Sequence, residues 1–129
     1  MAIETGLRAS GSFTVGDADT AAALGSGDVP VLATPRLIAW SEAVTVRALG
    51  GHIADDATTV GTRVELDHLG ATAIGTEVTI EVVLSEVDGR KLRFEVHAWQ
   101  DESVTIARGV VSRALVDREK FLARLGGAR

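Results

Sequence analysis

The chain has 129 residues, 46% of them hydrophobic, and no cysteine. That length suits one domain, residues 1–129, with a sizeable core and no apolar tract long enough to cross a bilayer; the missing cysteines exclude disulfides, thiolate nucleophiles and cysteine metal sites. Its 13 Lys and Arg against 18 Asp and Glu give a net charge of -5, which disfavours nucleic acid as a partner, and only the segment Arg118 to Arg129 leans basic. The opening MAIETGLRAS lacks the basic start, apolar middle and cleavage site of a secretory signal, so a cytoplasmic location is expected.

Leu7, Ala9, Phe13 and Val15 alternate with Arg8, Ser10, Ser12 and Thr14, the period of a strand with one solvated face. The turn-rich GDADTAAALGSGDVP that follows reads as a loop or broken helical turn able to move as a lid. Thr34-Pro35 reads as a helix start, with the threonine as cap and the proline in the first position. Leu37, Ser41, Val44 and Ala48 recur at helical spacing beside Ile38, Thr45 and Leu49, and Gly50-Gly51 supplies the stop. Alternating patterns predict four strands, over Thr58 to His68, Thr76 to Val87, Lys91 to Trp99 and Val104 to Val116. Asp88-Gly89 predicts a hairpin between the middle two. Val104, Ile106 and Val110 fall on one face of the last strand, and Val111 and Leu115 on the other, so both faces need cover, part of it from a second copy. One central helix wrapped by an antiparallel sheet is the α+β hotdog architecture, in which two subunits commonly join their sheets.

Glu42 is the only acid between Val29 and Ala54. A carboxylate in apolar surroundings needs a partner, hydrogen bonds or a chemical duty. The residues alone leave open a pairing with Arg36 or Arg47 and a role as nucleophile or general base. His68 falls in phase with Val60, Val64 and Leu66, which turns its ring to the apolar side, either as a core histidine satisfied by a carbonyl or as a catalytic one. A helix cap accounts fully for Thr34, and a catalytic hydroxyl would be an added duty. His52 beyond the helix and His97 on the polar strand face read as structural or solvated. Three dispersed histidines and scattered acids form no ligand pattern, so no metal is expected. No glycine-rich loop joins a strand to a helix in the manner of a phosphate cradle.

The runs LATPRLIAWSEA, GTRVELDHLGAT and VDGRKLRFEVHA resemble the hotdog thioesterases typified by fluoroacetyl-CoA thioesterase, a likeness spanning most of the chain. The resemblance implies a catalytic set of Thr34, Glu42 and His68, with Gly61 close to the thioester carbonyl. It also implies a homodimer acting on acyl-CoA, with coenzyme A part of the substrate and no cofactor. The fluoroacetate-selective member carries phenylalanine before the threonine, whereas SGDVPVLAT has no aromatic residue. Pro35-Arg36 stands where that member has glycine and an aromatic, so a different acyl group is expected, with Arg36 bringing a cation to the pocket wall. Arg113 reads either as a contact for the CoA phosphates or as an exposed strand arginine.

The implied reaction is thioester hydrolysis. Glu42 attacks the carbonyl or activates water, and His68 serves as acid, base or orienter. Thr34 binds substrate or orients the glutamate, and amides near Gly61 or the helix entrance hold the oxyanion. A helix rises about 12 Å between Thr34 and Glu42, so folding or a partner subunit must complete the site. A non-catalytic acyl-CoA-binding module with the same fold is the competing reading. A hotdog dehydratase fits less well, since its histidine is expected in or beside the central helix, where this chain has Trp40, Ser41 and Glu42.

Overall fold

The structure, a computed structural model, describes residues 3–127. Strand β1 (Arg8–Thr14) leads through a 3-10 turn (Asp17–Asp19) and the one-turn helix α1 (Ala21–Leu24) to the long helix α2 (Thr34–Leu49). Strands β2 (Ala57–His68), β3 (Glu77–Asp88), β4 (Lys91–Gln100) and β5 (Val104–Asp117) follow, and helix α3 (Arg118–Gly127) closes the chain. The basic segment read from the sequence is α3; its residues 128 and 129 lie outside the described residues. All five strands form one antiparallel sheet in the order β1-β3-β4-β5-β2, the expected hotdog architecture. Among the described residues no helix is long and apolar enough to cross a membrane.

Helix α2 buries Leu37, Ser41, Val44, Thr45, Ala48 and Leu49 against the sheet. The sheet answers with every second residue of β3 and β4: Val78, Ile80, Val82 and Leu84, then Leu92, Phe94, Val96 and Ala98, all buried. This matched pair of periods, near four on the helix and two on the strands, is what makes a single core. Emptying a site such as that of Phe94 would cost about 3–5 kcal/mol.

Four local features differ from the sequence reading. The residue capping α2 is Ala33, whose methyl group can make no capping hydrogen bond, and Thr34 is the first helical residue. In the β3–β4 hairpin Asp88 pairs with Lys91, so the two turn residues are Gly89 and Arg90, with the positive φ of 59° at Gly89. In β5 a register shift opposite Ala98 and Trp99 takes Ile106 fully into the core. Ile106 thus parts from Val110, which stays half-buried on the other face.

The fourth difference lies in β2. Gly61 pairs with Arg113 and Arg63 with Ser112, so Thr62 is an extra residue. One inserted residue shifts the alternation of side chains by one. Thr59 and Gly61 therefore face the helix before the bulge, and Val64, Leu66 and His68 face it after. Val60 does not share the face of His68, contrary to the phase read from the sequence.

Candidate active site

Two polar pairs are set between α2 and β2. At the helix entrance the Thr34 hydroxyl lies 2.7 Å from His68 Nδ1. With a backbone capping role taken away, this contact is what occupies the Thr34 side chain. The imidazole is half-buried, and burial lowers its pKa from the ordinary 6.5, the Gly70 backbone opposing. Its Nε2 is buried without a hydrogen-bond partner. With the proton on Nε2, Nδ1 accepts the threonine hydroxyl, and Nε2–H is the ring's remaining donor.

The pair borders a cavity of about 340 Å³ whose other walls are largely aliphatic, including Val29, Val31, Leu69 and Ala71. The segment before α2 forms one side of it. That segment is tied down by backbone bonds from Ala21 N–H to Val31 O (2.9 Å) and from Ala33 N–H to Asp19 O (2.9 Å). Arg36 reaches the same segment: its Nε sits 2.9 Å from Asp19 Oδ1, and a terminal nitrogen donates to Ala18 O at 3.4 Å. The structure thus commits Arg36 to Asp19, a partner the sequence reading did not name.

Two turns along α2, Glu42 meets Arg113. One guanidinium nitrogen donates to Glu42 Oε2 at 3.1 Å, while Arg113 Nε donates to Thr59 Oγ1 at 2.8 Å and the other nitrogen to Thr59 O at 3.1 Å. Arg113 is 6% exposed, so the reading of it as an exposed strand arginine is overturned. Burial pushes its guanidinium below the ordinary range, with Glu42 pulling the other way; it stays charged. Gly61 completes the group, since a Cβ there would collide with Glu42 Oε2. The bulge at Thr62 is what aims Gly61, Thr59 and His68 at the same helix.

Pairing of Glu42 with Arg36 or Arg47 is not what the structure contains; Arg47 instead donates to Ser10 O at 3.4 Å. Thr34 and His68 come together, as do Glu42, Gly61 and Arg113, but the two groups remain apart along the helix. Thr59 was missed by sequence reasoning. The signal for it was Gly61, because a glycine inside a strand pattern marks a bulge or a close approach. His97 bonds Thr105 (Nε2 to Oγ1, 2.9 Å) on the outer face. Among the described residues no group of three or more acids and histidines is arranged to hold a metal ion.

A carboxylate fixed by a buried cation beside a gap in a strand, and a threonine–histidine pair beside an aliphatic cavity, are parts suited to acyl transfer. Residues 15–119 match the fluoroacetyl-CoA-specific thioesterase family. The fluoroacetyl-CoA thioesterase of Streptantibioticus cattleyicolor is 33% identical over 95 residues, which are 74% of this chain and 68% of that protein. A crystallised point mutant of the fluoroacetyl-CoA-specific thioesterase superposes with a TM-score of 0.90 at 27% identity, covering 100% of this chain and 99% of its own. The same mutant in complex with fluoroacetate and CoA gives 0.86 at 29% identity, over 92% and 99%. A Thermus thermophilus protein of the thioesterase superfamily shares the fold, with a TM-score of 0.90 at 20% identity over 98% and 93%. The chain belongs to the fluoroacetyl-CoA-specific thioesterase family, and its class is that of a thioester hydrolase.

Proposed function

We propose that this protein hydrolyses acyl-CoA with Glu42 as nucleophile or general base, assisted by Thr34 and His68. The observation that carries the reading is the Glu42 carboxylate held through Oε2 by Arg113 beside the gap at Gly61. In the general-base route Glu42 takes a proton from water as the water oxygen adds to the thioester carbon. The carbonyl becomes an oxyanion, which donors near Gly61 or the helix entrance stabilise. Collapse breaks the carbon–sulfur bond, and the proton passes from Glu42 to the departing thiolate. In the nucleophilic route the carboxylate adds to the thioester carbon and the carbon–sulfur bond breaks as the thiolate departs. Water then opens the resulting anhydride, regenerating Glu42 and releasing the acid, whose proton neutralises the thiolate. The Thr34–His68 pair bordering the cavity supports this reading. Coenzyme A belongs to the substrate, and no cofactor is required. The aliphatic cavity, with no aromatic residue among those lining it, supports an acyl group other than fluoroacetyl.

The protein acts as a homodimer in this reading. β2 is an edge strand with Gly61, Thr62 and Arg63 exposed, and unpaired edges invite a further strand. Beside it α2 exposes Ala39, Ala43 and Val46, the last 51% exposed. Antiparallel docking of two β2 edges directs the His68 end of one strand toward the Ala57 end of the other, so each Glu42 would face a Thr34–His68 pair across the twofold axis. The decisive experiment is free-thiol release from short, branched, aromatic and long acyl-CoAs, with Glu42→Gln as the paired control. Acyl-CoA that binds without being consumed by the wild type would favour a binding module instead.

A further inference from the structure

The basic segment of this acidic chain folds into a groove. Between α3 and the β3–β4 turn lies a cavity of about 460 Å³ that gathers Arg90, Lys91, Lys120 and Arg124, with Phe121 in its wall and Leu115 on its floor. Four cations face a single carboxylate there, that of Asp117. Asp117 is already engaged, because its Oδ1 accepts the backbone N–H of Lys120 at 2.9 Å at the start of α3. Arg90 is steadied by a bond to Leu115 O at 3.4 Å. The local sign is thus the reverse of the whole chain, at -5. A second cavity of about 420 Å³ shares Lys91 and Ala114 in its lining with the first. It is lined also by Arg63, Arg93 and Arg113, the last being the residue whose guanidinium holds Glu42, and by the acids Glu86 and Asp88.

The geometry points to the α3 groove as the seat of the phosphate-bearing adenine nucleotide of the substrate's coenzyme A, with the cations on the phosphates and Phe121 against the purine. This rests on the thioesterase reading. Clustered Lys and Arg bind phosphate through charge-assisted hydrogen bonds, and an aromatic face stacks on a base. A coenzyme A thioester carries its phosphates at the end remote from the reacting carbonyl. Its nucleotide site therefore has to stand away from Glu42, and Glu42 does not line the α3 groove. Neither Phe121 nor a concave groove is needed to dock the acidic surface of a carrier protein.

The test compares wild type with Lys120→Glu/Arg124→Glu, both side chains being exposed, and with the milder Lys120→Gln/Arg124→Gln. Calorimetry with adenosine 3′,5′-bisphosphate should show binding to the wild type, weakened about tenfold by charge reversal, less by neutralisation, and also by salt. The preference in kcat/KM for an acyl-CoA over the matching acyl-pantetheine should fall about tenfold in the charge-reversed variant. No nucleotide binding to the wild type, or binding and preference that survive charge reversal, overturns the assignment. A loss confined to acyl carrier protein thioesters overturns it in favour of protein docking. If the wild type cleaves no thioester, the thioesterase reading fails by itself, and the calorimetry alone decides the groove.

Discussion

The Thr34 hydroxyl stands 2.7 Å from Nδ1 of His68, joining the first residue of the central helix to the last of the strand that follows it. Neither residue needs the other for its backbone, since the chain enters α2 through Ala33 and β2 ends on a regular pairing of His68 with Ala107. A contact free of backbone duty can be removed without unfolding the helix. Thr34→Val should lower kcat/KM roughly 10- to 100-fold with little change in melting temperature, while Thr34→Ser should stay within about threefold of wild type. Equal activity of the valine variant would remove the hydroxyl from the mechanism.

Glu42 and Arg113 are separable by two measurements. Glu42→Gln keeps the shape and loses the charge, so thiol release should drop about a hundredfold or more. Arg113→Met strips donors from Glu42 Oε2 and from both acceptors of Thr59, which should cost about 2 kcal/mol in denaturant unfolding. Arg113→Lys restores the charge without the planar fork, and so should recover less than half of that loss. An unaltered unfolding midpoint in Arg113→Met would contradict the account of the pair.

At Gly61 the neighbour that an added methyl would strike is the tip of a flexible side chain, Glu42 Oε2. Gly61→Ala should therefore fold normally, with stability within about 1 kcal/mol of wild type, and displace the carboxylate. Activity falling more than about tenfold beside an unchanged melting curve is the expected signature. A large loss of stability with activity preserved would show that the gap serves packing instead.

Burial depresses the pKa of His68 below 6.5. The unfolded chain then binds the proton more readily than the folded one, so the stabilising effect of a neutral His68 is complete above 6.5 and fades as pH falls toward the lowered value. His97 shifts the same way, through burial first and then Arg108, so the measurement belongs in a His97→Gln background. Unfolding free energy should rise with pH just below 6.5, and His68→Gln should flatten that rise. A slope untouched by the substitution would assign it to other groups.

A composite dimer site makes a distinct prediction. Glu42→Gln and His68→Gln should each be nearly inactive alone, yet the two chains expressed together should regain roughly a quarter of wild-type activity, because half the dimers carry one intact site. No recovery, with exchange of subunits verified by mass, would place the working site within one chain.

The order of the five strands and the central helix, and the core between them, were readable because they rest on short-range pattern, whereas α3 was read only as a basic segment. The alternation through β3 and β4 and the helical spacing of Leu37, Ser41, Val44 and Ala48 each fit only one way of burying apolar surface. Glu42 and His68 stood out for a related reason, as polar residues on faces the pattern assigns to the interior. What the pattern left undecided was which polar groups meet. Val60 and His68 share a phase in the sequence, but the extra residue Thr62 turns them to opposite faces. Arg113 is a single cation on a strand until β5 is laid beside β2, where its three bonds to Glu42 and Thr59 form. The sequence by itself determined the layers, the strands and the candidates for chemistry, because those follow from hydrophobic periodicity within one segment. Only the tertiary structure decided that Thr34 bonds His68, that Arg113 holds Glu42 and that α3 builds a cationic groove, because such pairings depend on register between segments distant in the chain, and one bulged residue is enough to reverse them.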